Sequence, residues 1–161
     1  QQISTKAQKT IYQRMKDGLG VIDEDAICEA SDAYLQSFGL TFRKVSYMKD
    51  FALKVRNHEI DLDGLYVKSD EEVIEILQSL KGIGRWTAEM ILLFCMQRKN
   101  VFAYDDLAIQ RGLRMVYHHR KITKQLFEKY RRRFSPYCSI ASLYLWAVAG
   151  GKMEGMKDYG K

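Results

Sequence analysis

The chain has 161 residues, 47% of them hydrophobic and 12% aromatic, enough apolar side chain for a packed core and too much for a disordered chain. Its formal charge of +6 favours an anionic partner and says nothing about fold. With one proline and no alternating apolar–polar run, an all-α domain is expected over residues 1–151, and no stretch reaches the ~18 consecutive apolar residues of a membrane helix.

Ile3, Ala7, Ile11 and Met15 recur every four residues and predict an amphipathic first helix that ends near Gly18 and Gly20. Residues 23–30 and 32–38 read as two short helices, the second stopped by Gly39. Phe42, Val45, Met48, Phe51, Ala52 and Val55 mark a longer helix after Thr41, with Arg43, Lys44 and Lys49 on its outer face. Residues 58–68 read as a loop around Gly64. Ser69-Asp70-Glu71-Glu72 is a capping box ahead of Val73, Ile76, Leu77 and Leu80 at helical spacing. Leu80-Lys81-Gly82-Ile83-Gly84-Arg85-Trp86-Thr87-Ala88 then places two glycines between two helical patterns, which predicts a helical hairpin. Residues 90–96 are apolar on all sides, the pattern of a buried helix, and 97–100 form a polar break. Asp105 or Asp106 caps a helix that runs to about Tyr117, and Leu126, Phe127, Tyr130 and Phe134 define the next. Ser135-Pro136 reads as a helix start with proline at the first helical position, leading into an apolar last helix over 137–150 that carries Trp146. Residues 152–161 have few anchors and are expected to be a mobile tail.

Two stretches admit a structural and a chemical reading. Gly82 and Gly84 suit an ordinary corner between helices. They equally suit close approach of another molecule, because the turn opens into a helix whose free N–H groups favour a phosphate. An aspartate at a helix start stabilises it by ~1 kcal/mol, but adjacent carboxylates repel, so one of Asp105 and Asp106 needs another partner or role. Cys28, Cys95 and Cys138 lie too far apart for a Cys-x-x-Cys site and read as reduced structural thiols, Cys95 within the apolar helix. His58, His118 and His119 lack metal-site spacing and read as solvated loop residues, and Lys129 with Arg131, Arg132 and Arg133 as a solvated face.

Hairpin, apolar helix and then Val101-Phe102-Ala103-Tyr104-Asp105-Asp106, in that order, resemble the helix-hairpin-helix DNA glycosylase superfamily. The Gly82–Ala88 string and the aspartate pair are most similar to its 3-methyladenine DNA glycosylase II branch, and the resemblance runs from Gln1 to about Gly151. It implies two helical lobes with a DNA groove between them, and further N-terminal sequence that this chain is expected to lack. It implies a monofunctional glycosylase of base excision repair that flips alkylated purines, 3-methyladenine and 7-methylguanine, out of double-stranded DNA. Such an enzyme would be a monomer, located in the bacterial cytoplasm with the nucleoid or in a eukaryotic nucleus.

The same resemblance assigns roles. Asp106, rather than Asp105, would be catalytic, stabilising the positive charge that builds on the sugar or orienting the attacking water. Trp86 stands where strand-cleaving members carry a Schiff-base lysine, which implies base removal without strand cleavage. Trp86 and Trp146 would line the base pocket with Tyr104, Met90 and Leu107, core packing being the other reading of both tryptophans. Met90 and Leu107 stand where the best-known relative has aromatic side chains. Aromatic faces attract a cation by ~0.5–2 kcal/mol, and a purine alkylated at N3 or N7 is cationic. Gly82, Gly84 and Thr87 would hold one DNA phosphate through their amides, with Lys81, in place of the usual proline, and Arg85 beside them. Gln2 would fill the gap left by the flipped nucleotide or else be solvated. Carbonyls of Gln78, Leu80 and Ile83 would hold a structural Na+ or K+. No cofactor is required, and three dispersed cysteines exclude the four-cysteine iron–sulfur loop of another branch. The competing readings are a member for oxidised or mismatched bases, a non-catalytic hairpin module that grips DNA backbone, and a helical protein-interaction domain.

Overall fold

The computed structural model describes residues 5–160, and among them the regular structure is helical. The chain divides into two compact units. One holds the residues up to Lys68 together with Ser79–Gly82, and the other holds Ser69–Gln78 and the chain from Ile83 onward. No helix among the described residues is long and apolar enough to cross a membrane. Gln2 and Ile3 lie outside the described residues.

The first unit contains α1 (Thr5–Leu19), α2 (Glu24–Glu29), α3 (Asp32–Ser37) and α4 (Phe42–Arg56). Each of the last three begins at a side-chain cap: Asp23, Ser31 and Thr41 accept from the amides of Ala26, Tyr34 and Lys44. The helices α2 and α3 pack on α4, and Met15, Ile27, Leu35, Phe38, Val45 and Ala52 form the core. The stretch expected as a loop, 58–68, contains a 3-10 helix, Asp63–Val67. The Asp61 side chain accepts from Gly64 N at 2.9 Å just ahead of it, and Leu65 is buried within it.

The second unit contains α5 (Asp70–Gln78), α6 (Arg85–Met90), α7 (Leu107–Tyr117), α8 (Lys124–Phe134) and α9 (Cys138–Ala149). The capping box forms: Ser69 N donates to Glu72 Oε2 at 2.8 Å, and Glu72 N donates to Ser69 Oγ at 3.4 Å. Helices α7 and α9 pack closely, with Gly112 against the backbone of Leu145. Their core is Phe102, Ala103, Ile109, Leu113, Ile122, Phe127, Tyr130, Cys138 and Leu145.

Four expectations are corrected here. The segment after Met90 is not an all-round buried α-helix but a π-helical turn, Ile91–Cys95. Its extra residue rotates Phe94, 57% exposed, and Cys95 outward. Pro136 does not open α9. Residues 135–137 close α8 instead, with Ser135 N bonded to Arg131 O and Tyr137 N to Phe134 O, and the Ser135–Pro136 peptide is cis. His119 is not a free loop residue: its Nε2 lies 2.7 Å from Tyr130 Oη. The segment after 152, read as having few anchors, is tied at Asp158. That carboxylate accepts two hydrogen bonds from Arg114, both 2.7 Å, which hold its pKa down at about 2.

Candidate active site

The N-terminus of α7 is built on Asp106, 7% exposed. Its Oδ1 accepts from the amides of Ala108 and Ile109, both at 2.9 Å, which caps the helix. Oδ1 also accepts from Trp146 Nε1 at 3.1 Å, and Oδ2 accepts from Trp86 Nε1 at 2.9 Å. All four partners are donors, as suits an acceptor-only carboxylate. Asp105, its neighbour, is exposed and makes none of these bonds. The cap that local sequence left open between the two aspartates therefore falls to Asp106, the residue also expected to carry chemistry.

Helix α6 delivers Trp86 and α9 delivers Trp146 to that carboxylate. Trp86 is 37% exposed, and Trp146 is partly buried against the core of the unit while its indole N–H reaches Asp106. Phe94, which sequence reasoning did not single out, stacks on Trp146 with centroids 5.6 Å apart and planes 14° from parallel. The only signal for it was its place in an apolar run, and that run pointed to burial. Leu107 follows Asp106 directly and is 79% exposed. Met90, like Trp146, is partly buried and packs against the core of the unit, and the Tyr104 ring meets Phe127 edge-on at 5.1 Å. Tyr104 also lines a separate cavity of about 530 Å³, with Glu71, Arg85 and Glu89, that neither Asp106 nor either tryptophan lines.

The hairpin turn shows why its two glycines differ. Gly82 has φ +83°, and a Cβ there would collide with the Tyr47 ring, so the fold itself needs glycine. Gly84 has φ −91° and open space where a Cβ would stand, so nothing in the fold needs glycine there. Thr87 is half-buried in the first turn of α6. Lys81 pairs with Asp50 at 2.8 Å and remains 65% exposed. Arg85, expected at DNA, turns back into its own unit. Its Nη1 and Nη2 donate to Glu71 at 2.8 and 3.0 Å, and its Nε lies 3.3 Å from Glu89. Through these bonds Arg85 clamps α5 to α6, with its side chain still 46% exposed. Burial pushes the Glu89 carboxyl up to about 7 despite that guanidinium. Of the carbonyl-bearing residues expected to hold a monovalent ion, Leu80 falls in the first unit and Gln78 and Ile83 in the second. Among the described residues no group of three or more His, Cys, Asp or Glu side chains is arranged to hold a metal.

Comparison with known proteins gives the lineage. The chain is 33% identical over 173 residues to DNA-3-methyladenine glycosylase 1 of Schizosaccharomyces pombe, a match covering 100% of this chain and 71% of that protein. Its structure superposes on a DNA-3-methyladenine glycosidase from Bacillus halodurans with a TM-score of 0.83 at 32% identity, covering 96% of this chain and 73% of the other. It superposes on an S. pombe 3-methyladenine DNA glycosylase in complex with abasic DNA with a TM-score of 0.77 at 31% identity, covering 100% and 78%. Residues 1–136 match the family model described as HhH-GPD superfamily base excision DNA repair protein, and the chain belongs to that superfamily.

Proposed function

We propose that this protein is a monofunctional DNA glycosylase that hydrolyses the N-glycosidic bond of alkylated purines in duplex DNA. The observation that carries the reading is the buried Asp106 carboxylate, held at a helix N-terminus by two amides and two indole N–H groups. A carboxylate so fixed needs no rearrangement to meet charge developing nearby. The nucleotide would be flipped from the stack, at a cost of a few kcal/mol that a damaged base reduces. The exposed surfaces of Trp86 and of the Phe94–Trp146 stack would receive the cationic base, and Leu107 would border it. As the bond to the base breaks, Asp106 stabilises the positive charge on the sugar, and water completes the reaction. Trp86 offers no amine, so no imine forms and the strand stays intact. The amides of Gly82, Gly84 and Thr87 are proposed to take one backbone phosphate. Lys81 is free to contribute because an exposed ion pair such as Lys81–Asp50 is worth only ~0–1 kcal/mol. Under the same reading the carbonyls of Gln78, Leu80 and Ile83, hard oxygen donors, would hold a monovalent cation. The names of the relatives agree with this substrate class.

The test is to incubate the chain with methylated duplex DNA and separate the free bases. Release of 3-methyladenine and 7-methylguanine is expected. Release only from oxidised or mismatched duplexes, or tight binding with no release, would replace the proposal with one of its rivals.

A further inference from the structure

We infer that Oδ2 of Asp106 is the oxygen that faces the reacting nucleotide, and that Trp86 is its positioning residue through the indole N–H as well as the ring. The inference rests on the proposed role of Asp106. It deepens that role by separating the two carboxylate oxygens and the two functions of one tryptophan.

The two oxygens are treated very differently by the fold. Oδ1 accepts three hydrogen bonds, from Ala108 N, Ile109 N and Trp146 Nε1. A carboxylate oxygen has two lone pairs, so Oδ1 has no acceptor direction left for a water or a sugar. Oδ2 accepts one bond, from Trp86 Nε1 at 2.9 Å, and keeps a free direction. The amides that pin Oδ1 belong to the first turn of α7 and are fixed with the helix. Rotation about the Cβ–Cγ bond moves both oxygens together, so the donors on Oδ1 already restrain this broad torsion. The Trp86 N–H adds the restraint made at Oδ2 itself, the oxygen left open.

Trp86 lies two residues beyond Gly84, in the first turn of α6. The helix that begins at the hairpin therefore also sets the direction of the carboxylate. The Arg85 clamp to Glu71, directly before Trp86, fixes α6 against α5 and so fixes the donor. The ring of Trp86 and its N–H can accordingly serve different steps. The ring, 37% exposed, meets the base, while the N–H aims Oδ2.

Replacing Trp86 by Phe keeps an aromatic face and removes the donor. Single-turnover release of 3-methyladenine from saturating methylated duplex should fall about 10- to 100-fold, since a small misplacement of a catalytic group can cost 10²-fold. The affinity for that duplex should stay within about threefold, because the face that attracts the cationic base is kept. Trp146→Phe should cost less rate than Trp86→Phe, since Oδ1 keeps two amides. In the unmodified chain, the Trp86 indole proton should exchange with solvent far more slowly than that of a free indole, a measurement that needs no variant to fold. If the unmodified chain releases no base, the proposed function fails. If it does release base, three results each overturn the inference alone: a Trp86→Phe rate equal to the parent or lowered only through affinity, a larger rate loss in Trp146→Phe, or free exchange of the Trp86 indole proton.

Discussion

Asp106 combines a cap and a charge in one side chain, and its neighbour shows how narrow that assignment is. Asp106→Asn is a good N-cap substitute, so α7 should persist. Its amide, however, would set an N–H against the Trp86 N–H in place of an acceptor. We expect base release to be lost while binding to an abasic-site analogue survives, read by free-base chromatography and by titration of the duplex. Asp105→Asn disturbs none of the four bonds and should change stability by no more than about 0.5 kcal/mol, with release intact. A dead Asp105→Asn variant beside an active Asp106→Asn would reverse the roles. Local pattern reached the aspartate pair but could not choose the cap, because either residue can begin the helix and only the backbone path decides. Glu89 was not legible at all: a carboxylate in an amphipathic turn reads as solvated, yet it is 7% exposed. Its carboxyl titrates at about 7 in the folded chain against an ordinary 4.5. Burial is the main cause, Asp105 and Glu71 add to it and Arg85 opposes it. The folded state therefore holds a proton that the unfolded chain has released, and stability falls as pH rises between those values and is flat above them. Against Glu89→Gln, the parent should lose about 3 kcal/mol of relative stability between pH 4.5 and 8, measured by denaturant unfolding at each pH. Parallel stability curves for the two proteins would remove Glu89 as the cause.

At the level of elements, most helix starts were legible, the start of α9 misplaced at Pro136 being an exception, and packing was the illegible part. Asp23, Ser31, Thr41 and Ser69 all mark real N-termini, since a cap is a local bond between a side chain and an amide two or three residues on. The π-helical turn at Ile91–Cys95 was invisible because a 3.6-residue period assumes that no residue is inserted. The anchor of the last ten residues escaped notice because the Asp158–Arg114 pair spans 44 positions. The hairpin separates cleanly into a fold glycine and a surface glycine, and the two substitutions should diverge. Gly82→Ala meets both a left-handed backbone and the Tyr47 ring, and should cost more than about 1 kcal/mol of stability. Gly84→Ala should leave the unfolding midpoint nearly unchanged and weaken binding to abasic duplex, in a manner that fades as salt screens the phosphate. If Gly84→Ala binds as tightly as the parent, the turn is a corner and nothing more.

Over the whole molecule, the charge of +6 and the family assignment point to the same polyanion, and under the proposed function the chemistry turns on the side chain at position 86. Members of a fold can share its helices and differ in whether a lysine stands beside the sugar. Here position 86 is tryptophan, and the nearest lysine in sequence, Lys81, lies on the hairpin turn, where it is proposed to meet backbone phosphate. We expect no protein–DNA adduct when the reaction is quenched with borohydride, and no strand scission until the abasic product is treated with base. Efficient adduct formation by the unmodified chain would place it among the strand-cleaving enzymes. A different property follows from the indole pair. The chain has two tryptophans, and both donate to Asp106. Excited at the red edge of the absorption band, where tyrosine is dark, the protein emits only from its candidate active site. Its native fluorescence is therefore a built-in reporter without background from elsewhere in the chain. Arrival of a duplex, entry of a flipped base and departure of the product can each be timed by mixing, with no dye attached, and in Trp86→Phe the remaining emitter is Trp146 alone.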